Sequence, residues 1–172
     1  MPSFPLSIHH VQRGHMREFI TLIKPEDEGL DEASLEQLDT LVLTFNQRQK
    51  SRLKANLTAQ EQIGIILPRG TILKDGDVLA SKLDDLIKIH AAEETVSTVT
   101  TDDVHLLLRI AYHLGNRHVP LQVELTWLRY GHDHVLDDMV RLLGGEITVS
   151  QNAFQPEKGA YGGGHKHHGH DH

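Results

Sequence analysis

The chain has 172 residues, a formal charge of −7, 38% hydrophobic and 24% charged residues, 14 His and no Cys. The missing thiols exclude disulfides, cysteine-type zinc sites, iron–sulfur clusters and thiol nucleophiles, so a metal here would be held by His, Asp or Glu. The negative charge argues against a general nucleic-acid binder. No apolar run reaches the roughly 18 residues of a membrane span, and Pro5, His9, His10 and Arg13 interrupt any apolar signal segment, so the expected compartment is the cytoplasm.

In chain order, residues 1–15 mix Pro, Gly, Ser and His without periodicity and read as a flexible extension. The acidic stretch from Lys24 to Asp39 reads as a surface loop with one helical turn around Ala33 to Leu38. Leu41, Leu43 and Phe45 alternate, as do Leu53, Ala55 and Leu57, which is the period-2 pattern of strands with one buried face. Apolar runs follow at Ile63–Leu67 and Thr71–Leu73, with turn signals at Pro68, Gly70 and Asp75-Gly76. This predicts a small all-β domain over residues 16–91. If one strand continued through Arg48, Lys50, Arg52 and Lys54, the four cations would line one face, either as a solvated guard on a sheet edge or as a ridge for an acidic partner.

Residues 92–160 read β-α-β-β-α-β, the order of a ferredoxin-like domain. Thr95–Val99 makes a strand, and Thr101 with Asp102 and Asp103 supplies an N-cap and first-turn acids for a helix with an apolar stripe at Val104, Leu107, Leu108, Ala111 and Leu114. Val119, Leu121 and Val123 alternate as a second strand and Trp127–Tyr130 forms a third. Asp133 caps a helix carrying Val135, Met139 and Leu143, Gly144-Gly145 ends it, and Glu146–Ser150 is the last strand. The overall expectation is an α+β protein, closed by a disordered His-rich tail over 161–172.

Histidine carries the chemistry, because imidazole is the commonest protein ligand for divalent transition metals. His118 begins the predicted second strand and, by alternation, lies on an open sheet face or edge. One imidazole leaves most of a coordination sphere to water, but near a two-fold axis a single His per chain becomes a pair. His132 and His134, spaced H-D-H, precede the second helix. His165, His167, His168, His170 and His172 crowd the tail. Structural roles compete with each assignment: a hydrogen-bonded surface imidazole at His118, helix capping at His132 and His134, and packing at His90 and His113. His105, His9, His10 and His15 have no supporting pattern, and the tail competes with an engineered tag, although its interleaved Lys, Gly and Asp favour a native one.

Tyr112–Gln122 (YHLGNRHVPLQ), Arg129–Met139 (RYGHDHVLDDM), KSRLKANL, Gly64–Leu79 and the His-rich end together resemble the UreE family of urease accessory proteins, which chaperone nickel. The likeness runs from about Thr40 to the C-terminus. It implies a peptide-binding β-rich first domain and a ferredoxin-like second domain that dimerises head to head. It also implies nickel bound at the interface by His118 and its copy, weaker metal binding at His132 and His134, and a metal-binding tail. Gly131 stands where some members have another His.

The expected mechanism is ligand exchange. Neutral imidazoles bind Ni2+ as cargo without a closed cage, and Zn2+ and Cu2+ compete because Cu2+ outranks Ni2+ for nitrogen ligands. The resemblance implies the accessory GTPase UreG, the urease apoprotein and its other accessory proteins as partners. Two other classes stay open. One is a nickel or zinc storage protein centred on the tail. The other is a metal-dependent hydrolase with His118, His132 and His134 on one ion and Asp133 or Asp137 as base.

Overall fold

A computed structural model describes residues 16–158, so the extension over 1–15 and the His-rich tail lie outside the described residues. Two sheets follow one another along the chain. The first has six strands: β1 (Glu18–Ile23), β2 (Asp39–Leu43), β3 (Arg52–Asn56), β4 (Gln62–Ile66), β5 (Val78–Ser81) and β6 (Leu86–Ala91). They lie in the order β2-β6-β5-β1-β4-β3, with the β1–β4 and β2–β6 pairs parallel. The expected alternation buries Leu41 and Leu43 of β2, and β4 and β6 add Ile63, Ile65, Ile87 and Ile89 around Phe19, with Leu53, Ala55 and Leu57 partly buried against them. Each of the fully buried side chains contributes about 1.5–3 kcal/mol relative to its exposed state.

This domain is β-rich but not all-β. Helix α1 (Glu32–Glu36) forms where Asp31 accepts hydrogen bonds from the backbone and hydroxyl of Ser34, matching the expected helical turn. Helix α2 (Phe45–Arg48) was hidden inside an apparent alternation. Thr44 and Gln47 form a reciprocal capping box, with the Gln47 amide donating to Thr44 Oγ1 and the Thr44 amide donating to Gln47 Oε1. Capping satisfies the first backbone donors of a helix, so the strand stops at Leu43 and the chain turns. The four-cation ridge is broken as a result. Arg48 is buried, Lys50 lies in the turn after α2, and only Arg52 and Lys54 share a strand.

The second sheet is antiparallel, order β10-β7-β9-β8. Its elements are β7 (Glu93–Thr100), α3 (Val104–Gly115), β8 (Gln122–Val123), β9 (Trp127–Gly131), α4 (His134–Leu143) and β10 (Glu146–Ala153). Both helices cover one face, closing a core of Val99, Leu107, Ile110, Leu114, Leu128, Tyr130 and Val140. Asp103 caps α3 through the Leu106 amide, and Asp133 caps α4 through the amides of Val135 and Leu136. Gly144 ends α4 in the left-handed region at φ 98°, and Gly145 packs so closely that a Cβ there would lie 2.7 Å from Val140 Cγ1 and 2.8 Å from Ile110 Cδ1. The expected apolar stripe of α3 is rotated. The buried face is Leu107, Ile110 and Leu114, whereas Val104 and Leu108 point to solvent, as Val135 does on α4.

One residue, Ala92, separates β6 from β7, and its amide donates to the Leu43 carbonyl. From the other end of the chain, Gln155 Oε1 accepts from the Asp75 amide at 2.9 Å and the Phe154 ring meets the Phe45 ring edge-on at 5.4 Å. Between the two sheets, Arg48 donates to the carbonyls of Leu73 and Phe154.

Candidate metal centre

His118 sits in the turn that follows α3, not on a strand face. The Arg117 amide donates to the Leu114 carbonyl and the His118 amide donates to the Gly115 carbonyl at 2.9 Å, which wraps the chain past the helix end. His118 itself takes φ 57°, a left-handed conformation in which His is among the enriched non-glycine residues. The predicted strand shrinks to Gln122–Val123 because Pro120 has no amide hydrogen to give a ladder. The His118 side chain is exposed, and among the described residues its ring takes part in no hydrogen bond or ion pair.

An uncovered apolar stripe leads to this turn. Val104, Leu108 and Tyr112 recur every four residues along α3 and are 64%, 64% and 66% exposed. Residues at this spacing share one face of a helix. Three large apolar side chains in a row on solvent are the kind of patch that marks an interaction surface.

His132 is built differently. Its amide donates to the Thr95 carbonyl at 3.0 Å, tying it to β7 just before the Asp133 cap. Its ring Nδ1 lies 3.0 Å from Ser97 Oγ and 3.3 Å from Asp137 Oδ2. Asp137 is 1% exposed, and its other oxygen accepts from the Tyr130 hydroxyl at 2.8 Å. Burial, and then the Asp137 carboxylate, push the Tyr130 phenol well above its ordinary range, so it remains a donor. Ser97 and Asp137 converge on the same ring nitrogen. A Ser–His–Asp relay needs them on opposite nitrogens, so this grouping is not a hydrolytic triad.

His134, the first residue of α4, is exposed. Among the described residues no three His, Asp or Glu side chains group to hold a metal, so His118, His132 and His134 do not converge on one ion as the hydrolase alternative requires. His90 pairs with Asp75 at 2.9 Å and the ring of His113 meets that of Tyr112, consistent with structural roles. His165, His167, His168, His170 and His172 lie outside the described residues.

A family model described as "UreE urease accessory protein, N-terminal domain" matches residues 20–92, and one described as "UreE urease accessory protein, C-terminal domain" matches residues 94–172. The chain belongs to the UreE family. A urease accessory protein UreE of Proteus mirabilis is 52% identical over 149 residues, covering 86% of this chain and 92% of the relative. UreE proteins of Vibrio parahaemolyticus and Aliivibrio fischeri strain MJ11 are 55% and 56% identical over 133 and 135 residues. These alignments cover 73% and 77% of this chain and 84% and 83% of the relatives. Membership in the UreE family makes this an accessory protein of urease maturation. Among the described residues no helix is long and apolar enough to cross a membrane.

Two features of this UreE-family chain escaped the sequence reading. One is the outward stripe of α3, since apolar spacing alone does not reveal that a helix has two apolar faces. The other is the Ser97–His132–Asp137–Tyr130 chain of contacts. The available signal was Asp137, a carboxylate three residues before Val140 and so on the same helix face as a core residue.

Proposed function

We propose that the protein is a nickel metallochaperone that binds Ni2+ through imidazoles and delivers it for assembly of the urease active site. The observation that carries this reading is His118, held exposed at the end of a helix whose Val104–Leu108–Tyr112 stripe has no cover among the described residues. A second copy covering that stripe brings two His118 turns together. The pair then supplies two nitrogen ligands, and the rest of the coordination sphere stays open for exchange. Domains at 16–91 and 92–160 fit this division of labour, the second being ferredoxin-like and dimerising, the first docking partners. Strand order β10-β7-β9-β8 supports the ferredoxin-like assignment.

His132 and His134 add weaker metal seats, and His165, His167, His168, His170 and His172 collect metal and feed it to the His118 pair. Delivery proceeds in the cytoplasm to the accessory GTPase UreG and onward to the urease apoprotein with its other accessory proteins. Zn2+ and Cu2+ compete at nitrogen sites, so selection of nickel lies in partner recognition.

Native mass spectrometry of nickel titrated into the full chain, His118→Ala and a form ending at Gly164 tests this. The expected result is one tightly held nickel per two chains, kept by the shortened form and lost in His118→Ala. One nickel per chain that survives His118→Ala would overturn the shared site and favour storage on the tail.

A further inference from the structure

Of the described histidines, His132 has the most elaborate support: a backbone tie to β7, a buried carboxylate, a buried hydroxyl and a buried phenol behind one ring edge. We propose that Asp137 is a positioning residue for His132, engaging Nδ1 together with Ser97 and leaving Nε2 as the one nitrogen that accepts a divalent cation. The proposal rests on the reading of His132 as a metal ligand and specifies which atom binds and what holds it.

A neutral imidazole carries its proton on one nitrogen and binds metal through the other. Nδ1 has its hydrogen-bond partner in Ser97 Oγ at 3.0 Å, and the Asp137 Oδ2 charge 3.3 Å away favours a hydrogen on Nδ1 over a lone pair facing it, since a carboxylate accepts and cannot donate. With the proton on Nε2 instead, lone pairs of Nδ1 and Oδ2 would face each other in a water-poor site. Ser97 adapts to either arrangement because its hydroxyl both donates and accepts, so Asp137 decides the tautomer.

The Asp137 carboxylate is itself fixed. Oδ1 accepts from Tyr130, the Asp137 amide donates to the Asp133 carbonyl at 2.9 Å, and Arg141 Nη2 lies 3.8 Å from Oδ2. The His132 side chain keeps 38% of its surface exposed although Nδ1 is engaged with buried groups, which leaves solvent access for a ligand to the rest of the ring. A carboxylate behind a metal-bound imidazole also stabilises the positive charge that the ring gains on coordination.

The experiment uses the full chain with 15N-labelled histidine, the His132 signals being those absent from His132→Ala. Long-range proton–nitrogen correlation of the metal-free protein at pH 7.5 is expected to find the proton on Nδ1 in the wild type. Zn2+ titration should then move the Nε2 signal. In Asp137→Asn the new amide can donate to Nδ1, so the proton should shift toward Nε2 and site-resolved Zn2+ affinity at His132 should fall roughly 10–100-fold. Ser97→Ala should keep the wild-type tautomer.

A wild-type proton on Nε2, or an Asp137→Asn protein with unchanged tautomer and unchanged affinity, overturns the proposal. If Asp137→Asn does not fold, the wild-type tautomer and the nitrogen that responds to Zn2+ decide it alone. A Zn2+ titration that leaves both His132 nitrogens unmoved refutes the underlying reading of His132 as a ligand, which is a separate failure.

Discussion

The guanidinium of Arg48 donates to the carbonyl of Phe154, 106 residues further along the chain and one residue beyond the last strand. Its other terminal nitrogen donates to the Leu73 carbonyl at 3.0 Å. Burial pushes the Arg48 guanidinium down from its ordinary value, and Glu94, Asp75 and Asp77 oppose that shift. Arg48→Met would fill much of the volume and strand both carbonyls. The expected loss is about 3 kcal/mol, read as a lower urea midpoint for the full chain, with nickel binding to the folded protein unchanged.

Leu108→Glu would place a charge in the middle of the α3 stripe. Because Leu108 is 64% exposed, the stability of one chain should change by less than about 0.5 kcal/mol. With the proposed dimer broken, light scattering should nevertheless report half the wild-type mass, and the nickel proposed to be shared between two chains should no longer bind.

Tyr130 gives the fold an alkaline limit. Its folded value is raised above the ordinary tyrosine value, so above a pH of about 10 the unfolded chain gives up a proton that the folded chain keeps. The unfolded state then binds fewer protons, and stability falls as pH rises. The contribution is fully present below about pH 10. Tyr130→Phe should lose about 1 kcal/mol at pH 7 with the hydrogen bond to Asp137, yet show a flatter decline in urea midpoint between pH 9.5 and 11.5.

Gly145→Ala should destabilise by about 1–3 kcal/mol, since the added methyl group collides with Val140 and Ile110 in the core and neither can withdraw freely. Gly131→Ala meets nothing within 4 Å and should stay within about 0.5 kcal/mol of the wild type. Thermal melts of the two variants side by side check both values.

What was legible in the sequence follows a physical division. Asp133 and Gly144 act through their own backbone neighbourhood, so their helix boundaries could be read directly, whereas α3 begins after Asp103 and not after the expected Thr101 cap. Arg48 and His118 could not be read this way, because each lies where a two-residue rhythm runs across a turn. At Arg48 the Thr44–Gln47 capping box overrides the rhythm, and at His118 the left-handed backbone does. The histidines expected to bear metal were legible as residue types. The groups behind His132 were not, since Ser97 reaches it from another strand and Asp137 from inside the next helix.

The single residue between β6 and β7 leaves the chain no slack at the junction. A ligand seated on the first sheet is thereby held at a set distance from the His118 turn, and its effective concentration there is fixed by folding rather than by the wandering of a tether. Arg48, Phe45 and Gln155 close the same gap from the far end of the chain, so swinging the halves apart requires breaking named bonds rather than bending a hinge.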